Sequence, residues 1–349
     1  MSLTLTVDGD RWRRHLREVA DQTPGLVPVV KGNGYGFTVG RLARKAAWLG
    51  CDTLAVGTYD ELPEVAQRFG GDLMVLTPWR PLGAPLPEAL PPRRVVHTLS
   101  RLADLVTLLE HEPEARVVLE RLTSMRRHGM SGEELRVAAQ LLTRSPATVE
   151  GVAFHLPLAS GSHLGEVVHL INDVVASEVE TRTLWVSHLT PTELASLRSS
   201  HADFVVRPRI GTSLWLGDRG SWRVTATVLD VHEVERGDVF GYRGRTAPKS
   251  GYIVVVSGGT SHGIGMESPP GDLSMRTRAA TLARGGLDAV GFVRSPYTID
   301  GKHRLFAEPP HMQSSMLFLP HGPQVPTVGE ELDVRVRMTT TTFDRVVVS

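Results

Sequence analysis

Residues 27–36 read VPVVKGNGYG, and this stretch decides how the rest of the chain is interpreted. An apolar run of strand length leads into Lys31, and glycines follow at Gly32, Gly34 and Gly36. A lysine that ends an apolar strand is partly desolvated, which favours its neutral amine and makes it a candidate for Schiff-base chemistry. The glycines let the backbone approach a ligand closely. A solvated lysine beside a tight turn is the alternative interpretation.

Strand-length apolar runs alternate with helical patterns from residue 27 to about residue 208. Helix start signals agree with this, since Thr190-Pro191-Thr192-Glu193 has the spacing of a capping box. Eight strands with intervening helices predict a closed parallel (β/α)8 barrel, a TIM-type barrel. An open, doubly wound sheet is the alternative, because periodicity alone does not show closure. The strand candidates are Val27–Lys31, Thr53–Gly57, Leu73–Thr77, Arg94–Leu99, Ala115–Glu120, Thr148–His155, Thr183–Ser187 and Asp203–Arg207.

After Gly217 the pattern changes to short β-like runs separated by turn-rich segments such as residues 267–271. We therefore predict a barrel domain over residues 9–218 and a mostly β domain over residues 219–349. The N-terminal strand within residues 1–8 is expected to join the β domain. The β-like runs are Val224–Val234, Val239–Tyr242, Tyr252–Ser257, Ala289–Val293, Met316–Leu319 and Leu332–Met338.

Composition excludes several classes of protein. Lys+Arg and Asp+Glu both number 38, so no global field favours nucleic acid or a membrane surface. The apolar stretches are too short to span a bilayer, and the N-terminus lacks the pattern of a signal peptide. Cys51 is the single cysteine, which excludes an intramolecular disulfide and a multi-cysteine metal site. We therefore predict a soluble cytoplasmic protein without a metal site.

The string Val30-Lys31-Gly32-Asn33-Gly34-Tyr35-Gly36 resembles the lysine signature of alanine racemases, fold-type III enzymes that use pyridoxal 5′-phosphate (PLP). The usual sequence of that motif is V-K-A-N-A-Y-G-H-G, so both of its alanines are glycine here and the second half of the motif is altered. Matching features recur along most of the chain in the family's order. The resemblance implies PLP on Lys31, a barrel followed by a β domain, and a homodimer whose active sites are completed by the partner's β domain.

Candidate phosphate ligands lie after the last two barrel strands. Barrels often bind phosphate there with backbone N–H groups and hydroxyls, and Thr190, Gly211 and Thr212 occupy those loops. The resemblance places Thr190 at a phosphate-binding serine position and adds the phenol of Tyr35. A plain helix N-cap is the alternative role for Thr190, and it is compatible with the first.

The resemblance also assigns two residues to the cofactor ring. Arg209 matches the arginine that faces the pyridine nitrogen, with Arg207 as the competing alignment. An arginine has no acceptor for a proton carried by that nitrogen, so the ring stays unprotonated, which favours proton removal and return over transamination. His155 resembles the histidine beside the ring, and a packed core histidine is the alternative.

Two-base racemisation requires proton-moving groups on opposite faces of the substrate Cα. Lys31 would serve one face. Tyr242, in the string Val239–Gly244, resembles the tyrosine that serves the other face from the partner subunit. An ordinary turn tyrosine is the alternative for Tyr242.

Departures from the family concern the substrate side. Arg127 falls on the arginine that steers the substrate carboxylate. Glu120 replaces a lysine that is commonly carbamylated, and a carboxylate can present an anion to an arginine as a carbamate does. In the β domain, Met312 would keep a backbone donor for the substrate carboxylate, while His311 and Gln313 replace Cys and Asp.

A second loop of the β domain, Gly258–Gly263, loses the family's pocket tyrosine and carries His262. We expect His262 and His311 to enter one pocket, which indicates a larger or more polar substrate than alanine. A metal site between the two histidines lacks a nearby carboxylate in the sequence.

The resulting hypothesis is a PLP-dependent amino-acid racemase, an isomerase acting on a small-molecule amino acid. A PLP-dependent lyase on the same fold, either a decarboxylase or an aldolase, is the second class. A non-catalytic PLP-binding protein is the third, and the retained β domain with Tyr242 argues against it.

Overall fold

The structure, a computed structural model, describes residues 2–83, 86–158, 161–266 and 293–349. The chain forms two compact units: Arg13–Asp218, and Met1–Trp12 together with Arg219–Ser349. The predicted turn at residues 267–271 and residues 289–292 of the predicted strand Ala289–Val293 lie outside the described residues. Within the described part, no helix is both long enough and apolar enough to cross a membrane.

Strand β1 (Leu3–Val7) belongs to the second unit, and the next eight strands close a parallel barrel in chain order. The ladder between the first and last barrel strands, in which Val27 pairs with Arg209, completes the closure. The predicted (β/α)8 barrel is therefore confirmed, and the open-sheet alternative is wrong. The barrel strands are β2 (Val27–Val30), β3 (Thr53–Val56), β4 (Asp72–Val75), β5 (Val95–Leu99), β6 (Arg116–Arg121), β7 (Thr148–His155), β8 (Thr183–Ser187) and β9 (Val205–Ile210).

Among the described residues an α-helix follows each barrel strand except β4, and capping boxes start two of these helices. Ser131 Oγ accepts a hydrogen bond from Glu134 N at 3.1 Å, and Thr190 Oγ1 accepts one from Glu193 N at 3.2 Å. In each helix the glutamate carboxylate accepts a hydrogen bond from the backbone N–H of the N-cap residue, so two backbone donors are satisfied at each helix start. The helices are α1 (Gly9–Asp21), α2 (Val39–Trp48), α3 (Leu62–Ala66), α4 (Leu102–His111), α5 (Gly132–Leu142), α6 (Leu164–Ala176), α7 (Pro191–Ser200) and α8 (Thr212–Leu216).

The last barrel strand extends further than the sequence predicted. The predicted end at Arg207 was wrong, because β9 continues through Pro208, which pairs with Val186 inside the ladder. A proline removes one N–H donor from the ladder, and here that loss does not end the strand. As a result, Arg209 lies within the strand and is buried.

The barrel interior is filled by apolar side chains, as expected of this fold. Side chains alternate between the two faces of a strand, so an inward residue recurs every second position. The buried interior cluster consists of Val27, Val29, Ala55, Met74, Val96, Val118, Ala153 and Trp185.

A bulge in β7 sets which of its residues face inward. Val117 pairs with Val149, but the next residue, Val118, pairs with Gly151, so one extra residue enters β7. Gly151 has a φ of +146°, and a Cβ there would meet the Trp185 indole nitrogen and lie 2.6 Å from Thr183 O. Only glycine therefore fits the bulge.

The second unit is built on an eight-stranded sheet in the order β13-β16-β15-β14-β17-β10-β1-β18, beside a two-stranded hairpin of β11 and β12. The N-terminal β1 is antiparallel to β10 and parallel to β18. The prediction of a mostly β second part is thus confirmed. Its strands are β10 (Trp222–Val234), β11 (Val239–Phe240), β12 (Arg245–Thr246), β13 (Gly251–Ser257), β14 (Arg294–Ile299), β15 (Lys302–Phe306), β16 (Ser314–Pro320), β17 (Glu331–Val334) and β18 (Arg345–Val348).

Replacing Gly151 tests the bulge. Gly151→Ala combines backbone strain with a collision against Trp185, and we expect a loss of about 3 kcal/mol of stability. Gly50→Ala is the matched control, because Gly50 also has a positive φ (+74°) but no neighbouring atom within 4 Å of its Cβ position. The control should lose about 1 kcal/mol. Urea unfolding followed by tryptophan fluorescence compares them, and equal losses would contradict the steric role of the bulge.

Candidate active site

The inward face of the barrel changes from apolar to mostly polar at the carboxyl ends of the strands. The next inward-facing position towards the carboxyl end of each strand holds a residue of a set that includes a lysine, a glutamate, a histidine and an arginine. Barrel enzymes place their chemistry at this end. The eight positions, one for each strand, are Lys31, Gly57, Leu76, Thr98, Glu120, His155, Ser187 and Arg209.

Lys31 follows β2, and its side chain opens to solvent. Partial burial of the amine, together with the positive charges of Arg127 and Arg209, lowers the pKa of Lys31, and Glu61 opposes the shift. Gly57 leaves room for the lysine, because a Cβ on Gly57 would lie 2.8 Å from Lys31 Cβ. The surroundings therefore favour a neutral amine at this position, as the sequence predicted.

Glu61 organises the turn after Lys31, and sequence reasoning missed it. Its carboxylate accepts hydrogen bonds from Gly32 N and Gly57 N, each at 2.6 Å, and from Thr58 N at 3.2 Å. It thereby ties the end of β2 to the end of β3. The spacing of Thr58 and Glu61, which is that of a capping box, was the available signal.

Tyr35 and Gly211, two of the predicted phosphate ligands, lie together. Tyr35 is 5% exposed, and a Cβ on Gly211 would collide with its hydroxyl oxygen. Burial and then Glu61 raise the pKa of Tyr35 to about 12, so the phenol keeps its proton and remains a hydrogen-bond donor. Thr212, the third predicted ligand, directly follows Gly211 and begins α8.

Thr190 is a helix N-cap, the alternative role that the sequence left open. Its hydroxyl lies 2.9 Å from the Glu193 carboxylate, which also accepts bonds from Ser162 Oγ and His163 N. The hydroxyl is thus engaged in the capping box, and its contact with a phosphate stays a prediction.

The two arginines of β9 have different surroundings. Arg207 pairs with Asp52, the residue before β3, and its guanidinium carbon lies 4.9 Å from the centre of the Trp185 ring. It is therefore directed towards the amino-terminal end of the barrel. Arg209 lies two residues closer to the carboxyl end, is 6% exposed, and donates to Phe154 O at 3.1 Å. This geometry favours Arg209 over Arg207 for the site.

His155 lies at the end of β7 beside a second histidine that sequence reasoning missed. Ser187 Oγ is 3.1 Å from His155 Nδ1, and the His188 ring meets the His155 ring edge-on at 5.2 Å. Burial, followed by Arg209 and Arg127, lowers the pKa of His155 to about 3. His188 has a φ of +63°, a strained conformation that no sequence pattern indicates.

Glu120 is a buried carboxylate among arginines. It is 3% exposed, and its Oε2 makes no hydrogen bond to the described residues. Burial raises the pKa of Glu120, and the charges of Arg209, Arg127 and Arg80 oppose that shift. The structure therefore brings Glu120 to the two arginines that the sequence assigned to the site.

Arg127 lies in the loop after β6, and that loop is held by the end of β7. Thr123 Oγ1 donates to His155 O at 2.7 Å, and Ser124 N donates to the Glu166 carboxylate at 2.6 Å. These bonds support the exposed Arg127 from one side.

Tyr242, His311, Met312 and Gln313 belong to the second unit and line a pocket of about 770 Å³ there. Tyr242 follows β11 in a turn, so the predicted strand to Tyr242 was wrong at its end. The cause is Gly241, whose φ of +71° bends the chain out of the ladder. The Tyr242 and Met312 side chains are 87% and 74% exposed.

His262 does not share that pocket with His311, contrary to expectation. It is 7% exposed, and its Nε2 lies 3.0 Å from the Asp344 carboxylate. Asp344 in turn accepts a hydrogen bond from Leu3 N at 2.8 Å, so His262 connects its loop to the sheet around β1. No group of histidine, cysteine and acidic side chains suited to a metal occurs among the described residues.

The family profile described as "Alanine racemase, N-terminal domain" matches residues 7–215. The chain belongs to the alanine racemase family. This match spans more than half of the 349 residues and confirms the resemblance read from the lysine motif.

Individual relatives are distant members of this family. The alanine racemase of a Nitratiruptor species is 29% identical over 146 residues, which cover 41% of this chain and 40% of that protein. An alanine racemase structure from Bartonella henselae with covalently bound pyridoxal phosphate gives a TM-score of 0.74 at 15% identity over 100% of both chains. A histidine racemase from Leuconostoc mesenteroides subsp. sake gives 0.65 at 16% identity, covering 99% and 98%. These structural likenesses show the fold.

The lowered pKa of His155 predicts that its ring stays neutral between pH 8 and about pH 5. The unfolded chain binds a proton on His155 below about pH 6.5, whereas the folded chain does so only near pH 3. This group therefore reduces stability as pH falls through that window. Long-range ¹⁵N–¹H NMR of the imidazole, assigned with His155→Gln, measures the titration. The same residue in concentrated urea is the control, and folded-state titration near 6.5 would refute the prediction.

Proposed function

We propose that this protein is a PLP-dependent amino-acid racemase that moves a proton with Lys31 on one face of the substrate and Tyr242 on the other. The observation that carries the proposal is the set of charged residues around Lys31 at the carboxyl end of the barrel, with an amine whose pKa is lowered. Tyr242 would come from the partner in a homodimer. We further propose that the enzyme acts in the cytoplasm.

The residues at the barrel end fit PLP. Arg209 Nε is buried and has no hydrogen-bond partner among the described residues, so a donor faces into the site. A Cβ on Gly211 would collide with the Tyr35 hydroxyl, so the phenol lies directly against the loop after β9, where it could donate a hydrogen bond to a phosphate group. Lys31 would hold the cofactor covalently, with His155 beside its ring. Bound PLP withdraws electrons from the Cα of an amino acid and so makes its α-proton acidic.

Arg209 keeps its charge in this setting. Burial lowers its pKa to about 10, Glu120 opposes the shift, and Arg127 adds to it. The guanidinium is therefore charged at neutral pH and can only donate hydrogen bonds. A group that donates to the ring nitrogen and cannot accept from a protonated one leaves that nitrogen unprotonated. This limits electron withdrawal and favours returning the proton to Cα over other outcomes.

Each proton-moving group has a defined task. Lys31, once the substrate amine has displaced it from the cofactor, would accept the α-proton on its face as a free amine or return one as an ammonium. Tyr242 Oη would accept a proton on the opposite face as a phenolate or return one as a phenol. Arg127 would bind the substrate carboxylate with help from Met312 N. The two structural neighbours are named for alanine and for histidine, so the shared fold does not decide which amino acid is bound.

Incubation of the purified protein with single L-amino acids in heavy water tests the function. We expect deuterium at Cα together with the D-enantiomer for at least one amino acid. With the L- and D-forms tested separately, Tyr242→Phe should keep α-proton exchange only for the enantiomer whose α-proton faces Lys31 and should lose inversion, because only one face retains its base. Lys31→Ala should lose both, together with the visible absorption band of the bound cofactor. In the wild type, borohydride should bleach that band and leave the cofactor attached to the peptide that contains Lys31.

The remaining outcomes identify the other classes. Release of carbon dioxide or an aldehyde would replace the racemase with a lyase. Bound PLP with no exchange on any amino acid would indicate a PLP-binding protein without catalysis. Absence of the band from the wild-type protein supplied with PLP would contradict the cofactor itself.

Glu120→Gln tests the buried carboxylate. Removing its charge leaves Arg127 and Arg209 without their anion, and we expect kcat/KM to fall by about 10- to 100-fold. Because the pKa of Glu120 is raised, its carboxylate is protonated at a higher pH than that of an ordinary glutamate. The wild type should therefore show an acidic limb that the variant lacks. Glu133→Gln, on the exposed start of α5, is the control, and wild-type kinetics in Glu120→Gln would exclude the role.

A further inference from the structure

Three side chains of the second unit form a cluster around the turn between β11 and β12. His311 Nε2 lies 2.6 Å from the Glu308 carboxylate, and the His311 ring packs against the Tyr242 ring with 4.6 Å between centroids. Glu308 also accepts a hydrogen bond from Tyr242 N at 3.3 Å. One carboxylate thus contacts both the backbone of Tyr242 and the ring that packs on its side chain.

Glu308 is fixed more firmly than an ordinary surface carboxylate. It is 2% exposed, and Gly241 packs so closely against its carboxylate that a Cβ on Gly241 would overlap it. His311 is held through its backbone as well, since its N–H donates to Ser314 O at 2.9 Å and its carbonyl accepts from Thr260 N at 2.8 Å. Glu308 and His311 therefore form a fixed pair, and the Tyr242 ring packs against its histidine.

Tyr242 needs such support because of where it lies. Its side chain is 87% exposed and follows a glycine with positive φ, so nothing in the turn itself selects one rotamer. A group that exchanges a proton with a substrate must be held at a defined position, and a small misplacement costs much of the rate. Ring packing against a hydrogen-bonded imidazole supplies that constraint before any substrate arrives.

We propose that Glu308 and His311 act as positioning residues, a tyrosine clamp that holds the Tyr242 phenol ready for proton transfer. The clamp rests on the proposed racemase function, in which Tyr242 serves one face of the substrate. His311 acts through Tyr242 here rather than on the substrate. Glu308 fixes His311 by a short charge-assisted hydrogen bond and Tyr242 by its backbone N–H.

Fluorine NMR of the full-length holoenzyme labelled with 3-fluorotyrosine tests the clamp without reference to turnover. The chain has five tyrosines, and Tyr242→Phe assigns the resonance. We expect His311→Ala and Glu308→Gln to move the Tyr242 resonance towards the position of free 3-fluorotyrosine and to narrow it. His311→Phe keeps the ring volume but loses the bond to Glu308, so it protects folding and should still move the resonance.

The chain offers a matched control in a second tyrosine–histidine pair. The rings of Tyr252 and His321 lie 5.2 Å apart in the same unit. His321→Ala should move only the Tyr252 resonance. A Tyr242 resonance that is unchanged in His311→Ala, His311→Phe and Glu308→Gln would overturn the clamp.

Turnover separates positioning from a general loss of structure. In His311→Ala we expect inversion to fall by about 10- to 100-fold, with α-proton exchange on the Lys31 face within about twofold of wild type. Equal losses of exchange and inversion would overturn the positioning role. If the resonance behaves as expected but the wild type inverts no amino acid, the clamp is supported and the proposed racemase function is contradicted.

Discussion

The two-residue period of the barrel strands is the constraint on which the candidate site depends. Because alternate side chains face inward, the next inward-facing residue after the apolar interior of each strand is directed towards the same carboxyl-terminal opening. This rule brings Lys31, Glu120, His155 and Arg209 together although they are far apart in the chain. It also makes the site sensitive to register, since a slip of one residue turns every later side chain of that strand to the other face. The bulge at Gly151 is therefore part of the site, because it sets the phase of β7 ahead of His155.

Burial and the charges gathered at this opening together shift the pKa of each group. Burial lowers the pKa of Lys31 and of His155, and the charges of Arg127 and Arg209 lower both further. Glu120 is the buried anion close to the two arginines, and Glu61 lies beside the lysine turn. The excess of positive charge suits a ligand that carries phosphate and carboxylate groups. Burial and this positive charge also lower the pKa of the Lys31 amine and of the His155 imidazole, which favours the neutral form of each.

Much of this arrangement could be predicted from the sequence, because strand alternation and the lysine motif are local signals. The choice between Arg207 and Arg209 required the structure, since Pro208 obscured where β9 ends. The two arginines are separated by the ion pair of Arg207 with Asp52 and the hydrogen bond of Arg209 to Phe154 O. His262 was assigned wrongly to the pocket, because its partner Asp344 lies 82 residues away in the chain. His188 and Glu308 were missed for the same kind of reason. Their roles depend on a strained backbone or on a contact with a turn, neither of which leaves a periodic pattern.

The two units prepare their candidate catalytic groups by different physical means. In the barrel, burial and neighbouring charges adjust the groups, so the scaffold itself sets their chemistry. In the second unit Tyr242 is exposed, and its position depends on a single packed histidine and the carboxylate beneath it. The loop that carries His311 and Gln313 belongs to the second unit. A substitution there therefore changes the support of Tyr242 and not the packing of the barrel interior.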